Sequence, residues 1–343
     1  MSLVFYLGVD VSKRTLSVNL KDPSKENVLW TNKSLPNDEK GFAQIAETAA
    51  KKIAAKGYAA PFEIAIGMES TGVYGERLAY YFHDRREEGF RVYILNPAAV
   101  RSFAKAAMTK NKNDAVDAHI IASYLSVAIP QGIVRAWVPP KPEESRLRDL
   151  SKRREELVHL RTQEENRLEK LHEQLHPPAT VVNSVESVIE HVRTEIRQIE
   201  KEISLHIDKH PGLKGDVDLM RSIPGIGDIA SVVIESETGG LSNFANVRQL
   251  VAYAGLSPEE YSSGTSVYRR SRISKRGNKR LRCVLYMSAM VACRLNPVVK
   301  RFYERLLAQG KGKKVAIVAC MRKLLHIVWG VVKNKKIFNA SYT

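Results

Sequence analysis

The sequence predicts an α/β domain followed by helical regions, and three observations carry that prediction. The first third alternates short β-type runs with helix-type runs. A charged stretch from Pro142 repeats leucine and isoleucine at helical spacing. Beyond Pro211 long amphipathic helices dominate. The 343 residues suffice for two or three domains with cores of their own. A composition of 44% apolar and 27% charged residues is that of a folded, water-exposed chain. No apolar run is expected to span a bilayer, and "MSLVFYLGVDVSK" enters a strand directly with no leader pattern, so no membrane partner and a cytoplasmic location are expected. Cys283, Cys293 and Cys320 have neither disulfide nor zinc spacing and read as reduced core residues.

Taken in order, "LVFYLGVDV", "TLSVNLK" and "NVLWTNKSL" read as three strands. "NDEKGFAQIAETAAKKIAAKG" is a helix capped at Asn37 or Asp38 and stopped at Gly57. "FEIAIGME" is a buried strand, "YGERLAYYFHDRREEG" a helix and "RVYILN" another buried strand. Pro97 opens a short helix, and "DAVDAHIIASYLS" is one more. Three strands, then helix–strand–helix–strand–helix, is the order of a ribonuclease H-like domain, assigned to residues 1–141. Residues 142–210 form a helical coiled-coil segment, with an apolar seam at Leu147, Leu150, Leu157, Leu160, Leu168, Leu171 and Leu175 in its first half. Val185, Ile189, Val192, Ile196, Ile199 and Ile203 carry the seam in the second. An intramolecular hairpin and a dimer contact bury this stripe equally well. Residues 211–343 form a third, mainly α unit.

Four carboxylates stand where strand ends or helix starts are expected: Asp10, Glu69, and the pair Asp114 and Asp117, three residues apart on one helix face. Strand ends of an α/β sheet share a rim, so the four can converge there. Such a cluster repels itself unless hard divalent cations, Mg²⁺ or Mn²⁺, relieve it, and these ions serve phosphoryl transfer. Taken singly, Asp10 is equally a turn residue and Asp114 a helix cap.

The net charge of +17 is concentrated. From Tyr268 onward there are 20 Lys or Arg residues against Glu304 alone. A nucleic-acid footprint explains this better than a solvated surface. Arg269, Arg270, Arg272, Lys275, Arg276, Lys279 and Arg280 lead that region and are the expected phosphate contacts. "IPGIG", between two helical segments, reads as a helix–hairpin–helix turn in which Gly225 and Gly227 bring backbone N–H groups to a phosphate. "YSSGTSV" sets four hydroxyl residues around Gly264 just before the cations, a place where a phosphate is held or attacked.

Over nearly its full length the chain resembles the DEDD transposases of the insertion-sequence one-ten family, the bridge-RNA-guided serine recombinases. The strings "GVDVSK", "MESTGVYGE", "KNDAVDAHIIA", "SIPGIG", "AYAGLSP", "SSGTSV", "ISKRGNKRLR" and "MRKLLHIVWGVV" carry the resemblance through their order and spacing. It implies a RuvC-like N-terminal domain whose acids are Asp10, Glu69, Asp114 and Asp117, and a C-terminal transposase domain with a catalytic serine. Ser263 matches that serine, with Ser266 and Ser262 as neighbouring hydroxyls; Thr265 stands where the family often has serine. The implied reaction passes through a covalent phosphoserine at a composite metal–DEDD and serine site shared between protomers of a dimer or tetramer. A bridge-type noncoding RNA selects donor and target DNA, in a bacterial or archaeal, nucleoid-associated setting. The alternative is a Holliday-junction-resolvase-like nuclease whose acids activate water and whose Ser263 only binds phosphate.

Overall fold

The computed structural model describes residues 3–24, 27–70, 72–107, 114–241, 244–263, 267–275 and 277–342; for 114–116, 259–263, 267–272 and 342 it describes the backbone alone. The chain divides into two compact units, residues 1–139 and 140–343.

The first unit is mixed α/β. Its strands are β1 (Leu3–Val11), β2 (Thr15–Lys21) and β3 (Val28–Pro36). Then follow α1 (Glu39–Ala54), β4 (Phe62–Glu69), α2 (Glu76–Asp84), β5 (Phe90–Leu95), α3 (Pro97–Ala106) and α4 (Asp114–Ala128). The sheet order is β3-β2-β1-β4-β5, with β1 antiparallel to β2, β2 antiparallel to β3, and β1, β4 and β5 parallel. The predicted element order is therefore present. Asp38, of the two caps expected for α1, is the one whose carboxylate accepts from Gly41 N at 3.0 Å. The helix expected over 74–89 stops at Asp84, and Gly89 at φ +93° turns the chain into β5.

Period-2 alternation divides the apolar residues between two faces. Phe5, Leu7 and Val9 of β1 and Ile64, Ile66 and Met68 of β4 pack with Phe42, Ile45 and Ile53 of α1 and Leu78 and Phe82 of α2. On the opposite face Tyr6, Ala65 and Tyr93 pack with Val100 of α3 and Ile120, Ile121 and Leu125 of α4. Between these residues β1 and β4 carry paired glycines, Gly8 opposite Gly67. A Cβ on Gly8 would overlap the Ala118 carbonyl oxygen and stand 2.5 Å from Ala122 N. One on Gly67 would stand 2.5 Å from Leu125 Cδ1. Gly8 thus lets the backbone of α4 lie directly on β1, and Gly67 makes room for the side chains of Leu125 and Ile121.

The second unit holds α5 (Pro142–His172), α6 (Ala179–Lys209), α7 (Pro211–Arg221), α8 (Asp228–Thr238), α9 (Val247–Tyr253), β6 (Pro258–Ser263), β7 (Val267–Ile273), α10 (Lys279–Leu295), α11 (Pro297–Ala308) and α12 (Lys313–Asn334). Helices α5 and α6 pair antiparallel, bridged by Arg146–Glu202 at 2.8 Å and Arg193–Glu165 at 3.1 Å. The seam between them is intramolecular: Leu157, Val192 and Ile196 form one cluster. Leu147, Ile203 and Ile207 form another with Leu213 and Val217 of α7 and Val232 of α8. Of the predicted leucine seam, Leu160 and Leu175 are exposed.

Helix α12 corrects one expectation. Its 22 residues are long and apolar enough by composition to cross a membrane, contrary to the expectation that no run reaches that length. Here it is a core helix, half buried. Cys320, Met321, Leu324, Leu325, Val328 and Val332 pack into a cluster with Met220 of α7, Leu250 of α9, Leu281, Leu285 and Ala289 of α10 and Val299 of α11. Of the cysteines, Cys293 and Cys320 are core residues, whereas Cys283 is exposed on α10.

Glu235 of α8 is 2% exposed, and its Oε2 has no hydrogen-bond partner among the described residues. Burial, with Asp216 and Glu144 adding repulsion, raises its pKa to about 8 against the pull of Lys335 and Lys141.

Both the glycine pair and the buried acid can be probed by unfolding. Gly8→Ala should force α4 off the sheet and cost about 2 kcal/mol or more in chemical denaturation; a loss under ~0.5 kcal/mol would mean the helix gives way freely. For Glu235, the unfolded chain releases this proton near 4.5 and the folded chain near 8, so between those values the folded state holds the extra proton and stability falls as pH rises. Glu235→Gln should remove that component, and melting temperatures from pH 5 to pH 8 should decline less steeply in the variant than in the parent chain.

Candidate active site

Asp10 and Glu69 each follow the last registered pair, Val9 opposite Met68, by one residue. They therefore stand near the C-terminal ends of neighbouring parallel strands, Glu69 as the last residue of β4 and Asp10 as the last but one of β1. Because they lie two residues beyond Gly8 and Gly67, they share the face on which α4 packs. Both are partly buried and both engage neighbouring groups.

The direction of α4 follows from two contacts. Ala118 lies over Gly8, and further along the helix Ser123 Oγ accepts from Lys21 Nζ at 3.0 Å. Lys21 pairs across the sheet with Tyr6, near the start of β1. The helix thus runs antiparallel to β1, and its first turn lies over the strand ends. Asp10 stands two residues beyond Gly8, about 7 Å along the strand. Asp114 begins the helix four residues before Ala118, about 6 Å along its axis. Position 114 is therefore level with Asp10, and Asp117, partly buried, lies between that level and Ala118. The rim so gathers the elements bearing all four predicted acids. The side chain of Asp114 lies outside the described residues, and among the described residues no three His, Cys, Asp or Glu side chains come together as a metal-holding group. Asp10, Glu69 and Asp117 offer carboxylate oxygens, the donor type that hard divalent cations prefer.

The helical run expected in the second unit is interrupted by a two-stranded hairpin, where the residues by themselves read as a polar turn. Strand β6 ends at Ser263, which pairs with Val267 in the last described rung; Ser262 pairs with Tyr268, Tyr261 with Arg269 and Glu259 with Arg272. Tyr, Val, Ile and Ser around a central glycine are hairpin residues, and that signal is present in "YSSGTSVYRRSRI". Gly264, Thr265, Ser266 and Arg276 lie outside the described residues, as do the side chains of Ser262, Ser263, Arg269, Arg270 and Arg272. Lys275 and Lys279 are exposed.

Arg280 differs from the free cation expected at that position. Its guanidinium donates to Glu237 Oε1, to Glu155 Oε2 at 2.5 Å and to Ser151 Oγ at 3.1 Å, and its side chain is only 19% exposed. These partners occupy most of its donors, so it serves as an internal tie between α10, α8 and α5.

The "IPGIG" segment is the turn between α7 and α8. Gly225 has φ +103°, and a Cβ there would lie 2.6 Å from Ala292 Cβ on α10. Asn296, fully buried, donates to Pro224 O at 3.3 Å. One side of the turn is therefore packed on the protein, and packing alone accounts for glycine at 225. Gly227 is different: nothing lies within 4 Å of its Cβ position, and it precedes α8 with no side-chain cap, exposed together with Asp228 and Ile229. Asp228 is bridged to Arg221 at 2.7 Å.

Similarity to known proteins agrees with this layout. Residues 7–177 match the DEDD_Tnp_IS110 family model, described as a transposase, and residues 217–304 match the model described as Transposase IS116/IS110/IS902 family. The pilin gene-inverting protein of Moraxella bovis is 30% identical over 335 residues, covering 97% of each chain, and that of Moraxella lacunata is equally similar. The transposase for insertion sequence element IS1328 of Yersinia enterocolitica is 28% identical over 276 residues, covering 73% of this chain and 79% of its own. An end-to-end match of this kind, with both family models falling in order along the chain, makes this protein a member of the IS110 family of transposases and DNA-inverting enzymes.

Proposed function

We propose that this chain recombines DNA by serine chemistry: Ser263 attacks a DNA phosphate beside the Asp10, Glu69, Asp114 and Asp117 set. The observation that carries the acid half of the reading is the rim itself, with Asp10 and Glu69 one step past a registered pair and the first turn of α4 above them. The order β3-β2-β1-β4-β5 supports a ribonuclease H-like, RuvC-like assignment for residues 1–141. A coiled-coil segment over 142–210 and a transposase domain over 211–343 complete the proposed organisation.

Asp10, Glu69, Asp114 and Asp117 would hold Mg²⁺ or Mn²⁺, which when bound supplies charge stabilisation to a phosphoryl group. In cleavage, the Ser263 Oγ–P bond forms and the bond from phosphorus to one deoxyribose oxygen breaks. The leaving oxygen takes up a proton, and the serine proton passes to a carboxylate oxygen of the acid set. Religation reverses this: a strand hydroxyl attacks the phosphoserine and Ser263 Oγ leaves. One phosphoester replaces another at each step, so no high-energy cofactor is consumed. The position of Ser263 at the last described hairpin rung, followed by the run of arginines on β7, supports a phosphate at this end of the hairpin. Arg269, Arg270, Arg272, Lys275, Arg276 and Lys279 neutralise nucleic-acid phosphates, joined by the exposed Gly227 end of α8.

The family resemblance further supports selection of donor and target DNA by a bridge-type noncoding RNA, assembly as a dimer or tetramer with acids and serine from different protomers, and action in the cytoplasm. From Tyr268 onward 20 Lys or Arg residues, Arg280 among them as an internal tie, stand against Glu304 alone, a concentration of charge that suits both DNA and RNA.

Two experiments test the reading. With a duplex carrying the DNA that flanks its own gene, the RNA transcribed from that flank and Mg²⁺, the wild type should yield a protease-sensitive protein–DNA adduct. Ser263→Ala should abolish adduct and cleavage while leaving the fold intact, and undiminished cleavage would favour water activation by the acids. Replacing Arg269, Arg270 and Arg272 with Gln should weaken binding and lessen the slope of log K against log salt by roughly 0.9 for each phosphate left without its cation. An unchanged slope, measured by fluorescence anisotropy, would place this run in solvent.

A further inference from the structure

We infer that Glu237 is a positioning residue that sets the orientation of the hairpin bearing Ser263; the inference rests on the reading of Ser263 as the nucleophile.

The stem of the hairpin is bolted at both ends. Ser274 N donates to Ser257 O at 2.9 Å, Lys275 N to Gly255 O at 3.2 Å and Asn278 N to Tyr253 O at 2.7 Å. Two glycines make the closure tight. A Cβ on Gly277 would overlap Tyr253 O and stand 2.7 Å from Gly255 N, and one on Gly255 would collide with the guanidinium of Arg282. The stem therefore moves as one piece with Asn278. That amide is fully used: Oδ1 accepts from Leu281 N at 2.9 Å as the cap of α10, while Nδ2 donates to Glu237 and to the Tyr253 hydroxyl, the latter at 3.1 Å.

Glu237 is where this piece meets the rest of the unit. Its side chain is 3% exposed and accepts from Asn278 at the stem, from Arg280 of α10 and from Arg148 of α5 at 3.4 Å. Burial by itself would raise its pKa, but the Asn278 amide, with Arg148 and Arg280, outweighs that and holds the carboxyl below its ordinary value, so the group is ionised. A buried ion network adds little stability over apolar packing of the same volume; what it adds is direction, because each donor must meet an oxygen in line. Direction is what a projecting hairpin needs. Ser263 stands five residues along β6 from Pro258, about 17 Å, so a tilt of about 5° at the stem shifts it by roughly 1.5 Å. A misplacement of that order costs about a hundredfold in rate.

The test uses the full chain with the same flanking duplex and RNA, and two variants. Glu237→Gln removes the charge; Asn278→Ser keeps an oxygen to cap α10 but removes the longer amide whose N–H groups donate to Glu237 and Tyr253, and it carries the test if the first variant does not fold. The expected result for both is at least a tenfold slower adduct formation at saturating DNA, a DNA half-saturation point within twofold of wild type, and faster amide hydrogen exchange across residues 253–278 with α12 still protected. Rates and exchange matching the wild type in a folded variant would overturn the inference, as would rate losses that merely track a weakened DNA affinity. If Ser263→Ala cleaves normally, the nucleophile reading fails on its own, and the exchange measurement still decides whether Glu237 orients the hairpin.

Discussion

Everything in the first unit depends on the approach of one helix to one pair of strands. Gly8 and Gly67 stand opposite each other in β1 and β4, and the space where their side chains would be is filled by the backbone of α4 at Ala118 and Ala122 and by the side chains of Ile121 and Leu125. Packed layers normally stand about 10 Å apart on a cushion of side chains. Removing that cushion brings α4 down onto β1 and β4. Asp10 and Glu69 lie two residues beyond these glycines, on the same face of the sheet.

The second unit solves a comparable problem with charge instead of glycine alone. A short hairpin has little core of its own and is marginal in isolation. Here it is welded at its stem by Gly255 and Gly277 and referred to the helices through Asn278 and Glu237. Arg280 belongs to that framework, which is why a cation in the middle of the most basic part of the chain is withdrawn from solvent. The turn at Pro224–Gly225 follows the same logic: one face is held by Ala292 and Asn296, and the other, at Gly227, is left open.

Much of this is legible in the residues. Alternation in "LVFYLGVDV" and "FEIAIGME", a cap at Asn37 or Asp38 and the stop at Gly57 mark the strands and helices of the first unit close to their observed limits. The seam at Val185, Ile189, Val192 and Ile196 marks a narrow apolar face, but a periodic stripe carries no information about which surface covers it; the partner is α5 of the same chain. The hairpin at Pro258–Ile273 is hard to read because its dense cations and hydroxyls, typical of a loop, overlie its β-type alternation. Arg280 reads as a free cation because sequence shows a charge and conceals its partners, which come from residues 43 and 125 positions away.

What the sequence determined by itself was local: which segments are strands or helices, where they start and stop, and which residue types are available for phosphate chemistry. These follow from backbone sterics and side-chain periodicity over a few residues. Only the tertiary structure decided that Gly8 and Gly67 face one another under α4, that Asp10 and Glu69 each follow the last registered pair of β1 and β4 by one residue, and that Glu237 gathers Asn278, Arg148 and Arg280. Those facts join residues tens of positions apart or more, and strand register and helix packing set such distances after the chain has closed on itself.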